Sequence, residues 1–220
     1  MNTNVSSCMQ MLPYRPKRQR GFSLIELLSV IAVISVLASL AVPALSSYAA
    51  SSRRTKFLTN LSSLFETARQ YAVSKNTYVW VALGTDNNKL FATVIATKDG
   101  TSQGFGEDPW TQGTVNLTQA NNAFATVTRL VPLGDFAVNA FNGERAFAST
   151  PAFSVPKPGG SSMQLDRSVQ FSPSGEARIS AGLKGTIRFE ASALEGSMKS
   201  IKDTVLINGP TGFLKIQGEN

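Results

Sequence analysis

Between Leu27 and Ser52 the chain carries no charged side chain, and any fold it adopts must house that run. From Leu24 to Leu45 the residues are aliphatic or small, with Glu26 the sole ionisable group and Pro43 near the far end. As a helix, Leu27 to Leu45 extends about 28 Å, close to the hydrocarbon thickness of a bilayer. Three ordinary accounts compete: a cleaved secretory signal, a signal anchor, and a buried helix of a soluble protein. The buried helix accords least with the length of the run and its basic flank. A secretory signal has a shorter apolar region and a small-residue cleavage site, for which Ala38 and Ala41 would serve weakly. Glu26 suits neither signal. A carboxylate at the centre of a span costs about 2.5–3.5 kcal/mol on insertion scales, and less near an interface, so it calls for a partner.

Residues 1–21 hold four bases, Arg15, Lys17, Arg18 and Arg20, and no acid. Arg53, Arg54 and Lys56 follow the run, so the positive-inside rule favours a cytoplasmic N-terminus only by a narrow margin. The net charge of +7 resides in the front of the chain, because from Asn76 onward twelve bases meet twelve acids. That balance removes most of the support for a general nucleic-acid-binding role.

The chain has no histidine and a single cysteine, Cys8, which excludes histidine acid–base catalysis, Cys/His zinc sites and intrachain disulfides. Pro158 to Ser162 lacks the Gly-Lys-Ser/Thr ending of a phosphate loop, and Gly104-Phe105-Gly106 is too short for a dinucleotide fingerprint, so both read as turns. The adjacent Glu107 and Asp108 fall short of the oxygen set of a calcium site and read as a solvated loop. No enzyme activity, cofactor, metal or small-molecule substrate is expected.

Sixteen of the seventeen glycines and seven of the ten prolines lie after residue 75, which sets a helical front against a turn-rich, β-rich back. Beyond the apolar run, Phe57, Leu61, Leu64, Phe65, Ala68 and Ala72 recur at helical spacing, predicting an amphipathic helix to about Ser74 whose stripe docks on a sheet. Strands are expected at 77–83, 90–97, 126–131, 168–171, 178–180, 186–191, 204–208 and 213–217, with hairpin loops at 84–89 and 209–212. Trp80, in an alternating run, reads as a packing residue, as does Trp110; residues 151–162 read as a surface loop, and 100–119 are too irregular to assign. Ser29, Ser35, Ser39, Ser46 and Ser47 read as bonded back to helix carbonyls or packed at close helix contacts. Pro43 lacks a donor and crowds the carbonyl of Ser39, which predicts a kink there.

Gly21-Phe22-Ser23-Leu24-Ile25-Glu26-Leu27-Leu28, preceded by Lys17, Arg18 and Arg20, strongly resembles the processing motif of type IV prepilins and of type II secretion pseudopilins. The resemblance implies a membrane prepilin peptidase that cuts between Gly21 and Phe22 and N-methylates Phe22. Glu26 then becomes the fifth residue of the mature chain and Pro43 the twenty-second, where the family commonly has a glutamate and a helix-bending proline. The resemblance also sets the orientation: leader in the cytoplasm, a single pass through the bacterial inner membrane, and a periplasmic globular domain incorporated into a pilus or pseudopilus. Cys8 falls in the discarded leader.

Physical chemistry supplies a reason for the motif. A Phe22 ammonium stays largely charged at neutral pH and can pair, in a low-dielectric setting, with Glu26 of a neighbouring subunit. An unpaired carboxylate penalises wrong axial packing, so the pair sets register. Gly21, a poor helix former without a side chain, keeps the scissile backbone extended and accessible.

The expected fold is α+β and type IV pilin-like: a long N-terminal helix, transmembrane then amphipathic, packed on a mostly antiparallel β-sheet domain. Its expected parts are a leader at 1–21, a transmembrane segment at 22–50, an amphipathic continuation at 51–75, and a β-rich periplasmic domain at 76–220. The expected partners are prepilin peptidase, other pilin or pseudopilin subunits in a hetero-oligomeric filament, and the inner membrane; nucleic acid is not expected.

A second resemblance is narrower. Residues Ala68 to Val79 look like the helix-to-strand junction of the H-type minor pseudopilins and the FimT-like minor pilins. Val169 to Ala177, followed by Gly185-Thr186-Ile187, resembles a later strand and turn of that group. Together these imply a minor pseudopilin or pilin acting through assembly. The rival is a FimT-like minor pilin that binds DNA for natural transformation; the basic tail of that group is poorly matched here, where the last strand offers Lys215 alone.

Overall fold

In the computed structural model the described residues are 23–102, 110, 113–118, 123–140, 150–179, 185–194 and 202–218, without the side chains of 40–47 and 140. The chain is α+β and divides into two compact units, Met1–Ser46 and Ser47–Asn220. One helix, α1 (Leu24–Lys75), contributes residues to both.

In the first unit the carbonyl of Ser23 accepts the N–H groups of Glu26 at 3.0 Å and Leu27 at 3.1 Å, opening the helix. Ser29, Ser35 and Ser39 donate to the carbonyls of Glu26, Ile31 and Val36 at 2.8, 2.7 and 2.7 Å, the back-bonding their sequence positions suggest. Among the described residues no helix is long and apolar enough to cross a membrane. The expected span from Leu27 to Leu45 runs into 40–47, whose side chains lie outside the described residues.

In the second unit the predicted stripe is the buried face of α1: Phe57, Leu61, Leu64, Phe65, Ala68 and Ala72 all belong to one core. The helix ends where Asn76 takes a left-handed φ of 50°. The Thr77 N–H then reaches back to the Ala72 carbonyl at 3.1 Å, the six-to-one bond of a Schellman cap with asparagine in the usual glycine position.

Three sheets follow. The first has the order β10 (Ala177–Arg178), β9 (Arg167–Phe171), β1 (Val79–Asp86), β2 (Lys89–Thr97), β4 (Phe124–Thr126), with β5 (Val131–Gly134) also on β2. The second runs β13 (Leu214–Gly218), β12 (Lys202–Ile207), β11 (Ile187–Ala193), β6 (Phe136–Ala140). The third is β3 (Thr114–Asn116), β7 (Ala152–Pro156), β8 (Ser162–Leu165). All described pairings are antiparallel except β3 with β7. At Gly134, with φ 97°, the chain leaves the first sheet and enters the second at Phe136; glycine tolerates that corner without a Cβ penalty.

The alternation of β1 divides two cores. Val79, Val81 and Leu83 face α1, in a cluster that also holds Phe171, Phe189, Val205 and Ile207. Phe65 sits at its centre, 6.2 Å from the Phe171 ring and 6.1 Å from that of Phe189, while Phe57 stacks on Phe136 at 4.1 Å. Trp80 and Ala82 face the other way, against Phe124, Phe153, Met163 and Leu165. The third sheet thus covers the first from behind, and Trp80 is the packing residue its alternating run predicts.

Several expectations are corrected. Residues 151–162 are not a surface loop: β7 occupies Ala152–Pro156, and Phe153 is fully buried against Trp80 at 6.0 Å. Of the expected strand at 126–131 only the end residues are strand: β4 stops at Thr126 and β5 begins at Val131, with a break between them. There the Thr128 hydroxyl accepts the Val94 N–H at 3.0 Å, taking the place of a backbone partner. The first hairpin turn is only Asn87-Asn88, both with positive φ (48° and 58°), as a two-residue primed turn demands. Gly84 lies inside β1, where only glycine fits because a Cβ would meet the Gln164 carbonyl oxygen at 2.6 Å.

Candidate functional site

The sequence places the candidate site at the start of α1. Lys17, Arg18, Arg20, Gly21 and Phe22 lie outside the described residues, as do Cys8, Glu107 and Asp108. Glu26 sits in the first turn of α1 and is exposed. Pro43 falls within the residues of α1, with its side chain outside the described set. Ser46 and Ser47 are placed likewise.

Around Glu26 the helix has no polar face. Every side chain from Ser23 to Ser39 is exposed, including Leu24, Ile25, Leu27, Leu28, Ile31 and Ile34. In water such a surface is unfavourable at roughly 25 cal/mol per Å² of apolar area. The three described serines spend their hydroxyls on helix carbonyls, which leaves Glu26 as the only charged side chain of this surface.

The second unit holds polar contacts that fix α1 to the sheets. Arg54 forms a two-pronged ion pair with Asp203 of β12. The hydrogen bonds to that carboxylate, with its charge, raise the Arg54 pKa above the ordinary arginine value against the opposing effect of burial. Arg69 donates to the Thr211 carbonyl at 2.9 Å and lies 4.1 Å over the Phe213 ring, tying the end of α1 to the β12–β13 hairpin. Pro158 to Ser162 forms the expected turn, where the Lys157 N–H donates to the Ser161 carbonyl at 2.7 Å. Lys215, the base weighed for DNA contact, is exposed on β13.

Two arrangements have no signal in the sequence. Gln170 is fully buried with both amide atoms lacking a hydrogen-bond partner among the described residues, and its cross-strand neighbour Trp80 has an unpartnered indole N–H. A groove lined by Leu58, Thr59, Ser62, Ser63 and Ile216 lies between α1 and β13. Among the described residues no group of three or more acidic or cysteine side chains forms a metal cluster.

Residues 16–42 match the family model described as the prokaryotic N-terminal methylation motif. The match covers the basic flank, Gly21, Phe22 and Glu26, and supports the type IV prepilin and pseudopilin family. Such a motif implies processing by prepilin peptidase and assembly with other pilin subunits, and it suggests a structural subunit rather than an enzyme. No curated protein and no solved structure matches the chain.

Proposed function

We propose that this chain is a minor pilin-like subunit of the H-type group, from a type II secretion pseudopilus or a type IV pilus. The supporting observation is the coincidence of the methylation motif with a helix whose side chains are apolar and exposed on every side around Glu26. In this reading the peptidase cuts between Gly21 and Phe22, Phe22 is methylated, and Leu27 to Leu45 crosses the inner membrane once. The domain after Ser51 stands in the periplasm, and Pro43 kinks the helix near Ser39.

Assembly then follows from charge pairing. The Phe22 amine of one subunit meets Glu26 of its neighbour, and mispacked helices leave a charge without a partner in lipid. Mass spectrometry of the membrane-extracted protein tests the reading directly: the expected mature N-terminus is N-methylated Phe22. Gly21→Leu is expected to leave the precursor uncut. Normal maturation of that variant, or a mature terminus near Val42, overturns the assignment.

A further inference from the structure

A groove of about 450 Å³ lies between α1 and β13, lined by Leu58, Thr59, Ser62, Ser63 and Ile216. Strand β13 ends its sheet, and among the described residues no strand pairs with its outer edge. The Asn208 N–H donates to the Phe213 carbonyl at 2.9 Å, which fixes the alternation along the hairpin. Counted from that pair, the amides of Lys215 and Gln217 face β12, and those of Leu214, Ile216 and Gly218 face outward. The side chains of Leu214 and Ile216 pack toward the helix core, so Lys215 and Gln217 show on the opposite face, both exposed.

We propose that the outer edge of β13 is a strand-addition site for an extended segment of another protein chain, aliphatic at alternate positions and acidic between them. A row of open ladder groups is satisfied by extended backbone and by no other regular structure. A strand laid there sends alternate side chains past Ile216 into the groove, where they meet Leu58 and the rims of Thr59, Ser62 and Ser63. The intervening side chains stand beside Lys215 on the far face, where an opposite charge stabilises a cross-strand pair. Lys56, one turn before Thr59 on α1, is also exposed and adds to the preference for acid. The edge itself carries little of the usual protection against pairing: it is regular over Leu214–Gly218, with no proline and a single charge.

The site rests on the fold and not on processing at Gly21, so the test below is unaffected by how the chain matures. The probe is a fluorescent seven-residue peptide of alternating valine and glutamate, titrated against the full chain in detergent micelles. Saturable binding is expected. Because only alternate amides of an added strand face β13, N-methylating all valines or all glutamates gives two peptides, of which one loses about tenfold or more in affinity. Ile216→Pro removes an outward N–H while sparing those that face β12, and the same loss is expected. Should that variant not fold, Thr59→Trp fills the groove from an exposed helix position and is expected to weaken binding similarly. Lys215→Glu is expected to shift preference toward a valine–lysine peptide. No binding by the folded chain, equal binding by both N-methylated peptides, or a peptide bound as a helix overturns the proposal.

Discussion

Arg54 of α1 and Asp203 of β12 are joined by both prongs of the guanidinium, with Nε 2.8 Å from Oδ2 and a terminal nitrogen on Oδ1. The two ends are unequally housed: the Asp203 side chain is 5% exposed and that of Arg54 26%. Removing one partner therefore has unequal costs. Arg54→Ala strands a buried carboxylate and is expected to cost up to about 3–5 kcal/mol. Asp203→Asn leaves a guanidinium that can turn to water and costs less. Urea unfolding of the two variants in detergent measures both, and equal losses would contradict the asymmetry.

The same pair sets a pH expectation. The Arg54 pKa is raised in the folded state by its hydrogen bonds to Asp203. A raised base contributes stability that is fully present below its unfolded value and lost as pH rises through its folded one. Both lie at or above the ordinary arginine value, far above neutral pH. The Arg54 contribution is therefore expected to stay flat across neutral and mildly alkaline pH, checked by comparing wild type with Arg54→Ala in unfolding titrations over that range.

Leu61 is fully buried at the centre of the helix stripe. Leu61→Ala is expected to cost about 2–5 kcal/mol, by lost transfer energy and the cavity left behind. Ser63→Ala, on the exposed side of the same helix, serves as the control in the same denaturant series. A cost for Leu61→Ala no greater than that of the control would remove the stripe from the core.

The helix stripe was fully legible because Phe57, Leu61, Leu64, Phe65, Ala68 and Ala72 repeat at the period of a helix with one dry side. The hairpins β1–β2 and β12–β13 were legible because turn-forming breaks at 84–89 and 209–212 interrupt apolar runs, although the first turn is Asn87-Asn88 alone. By contrast β7 was hidden: Pro151, Pro156 and Pro158 bracket it, and those prolines signalled a loop when they mark strand ends. The break between β4 and β5 was hidden because Thr128 replaces a backbone bond with a hydroxyl, which no periodicity records. At the candidate site, Gly21, Phe22 and Glu26 were named by a local motif that needs no tertiary context. The β13 groove was invisible, because Leu58 and Ile216 meet only through the fold.

Gln170 is buried with its whole amide unpartnered among the described residues. Leaving such groups dry typically costs about 1–3 kcal/mol, so Gln170→Met, similar in length and apolar, is expected to be neutral or stabilising by up to that amount. Thermal unfolding checks it. A loss above about 1 kcal/mol would mean that the amide has a bridging water or other partner, which the variant removes.

Glu26 is expected to matter for assembly and little for insertion. If Leu27 to Leu45 spans as proposed, the run enters a bilayer without help from Glu26, and a neutral replacement lowers the insertion cost. Glu26→Ala is therefore expected to be inserted and cleaved, yet to fail to co-purify with filament assemblies. Normal co-purification of the variant would remove the charge-pairing argument, or restrict this subunit to a filament tip with no subunit ahead of it; crosslinking to a single partner species separates those outcomes.

Strand β1 is enclosed in every direction. It pairs with β2 and β9 along its edges, Val79, Val81 and Leu83 lie in the core beneath α1, and Trp80 and Ala82 lie in the core covered by the third sheet. Its amide protons can therefore trade with deuterium only when the domain opens as a whole, whereas the outer amides of β13 trade through local fraying. Among the described residues the amides of Val79–Leu83 are therefore expected to exchange slowest, and their rate would serve as a built-in gauge of the free energy of the entire domain.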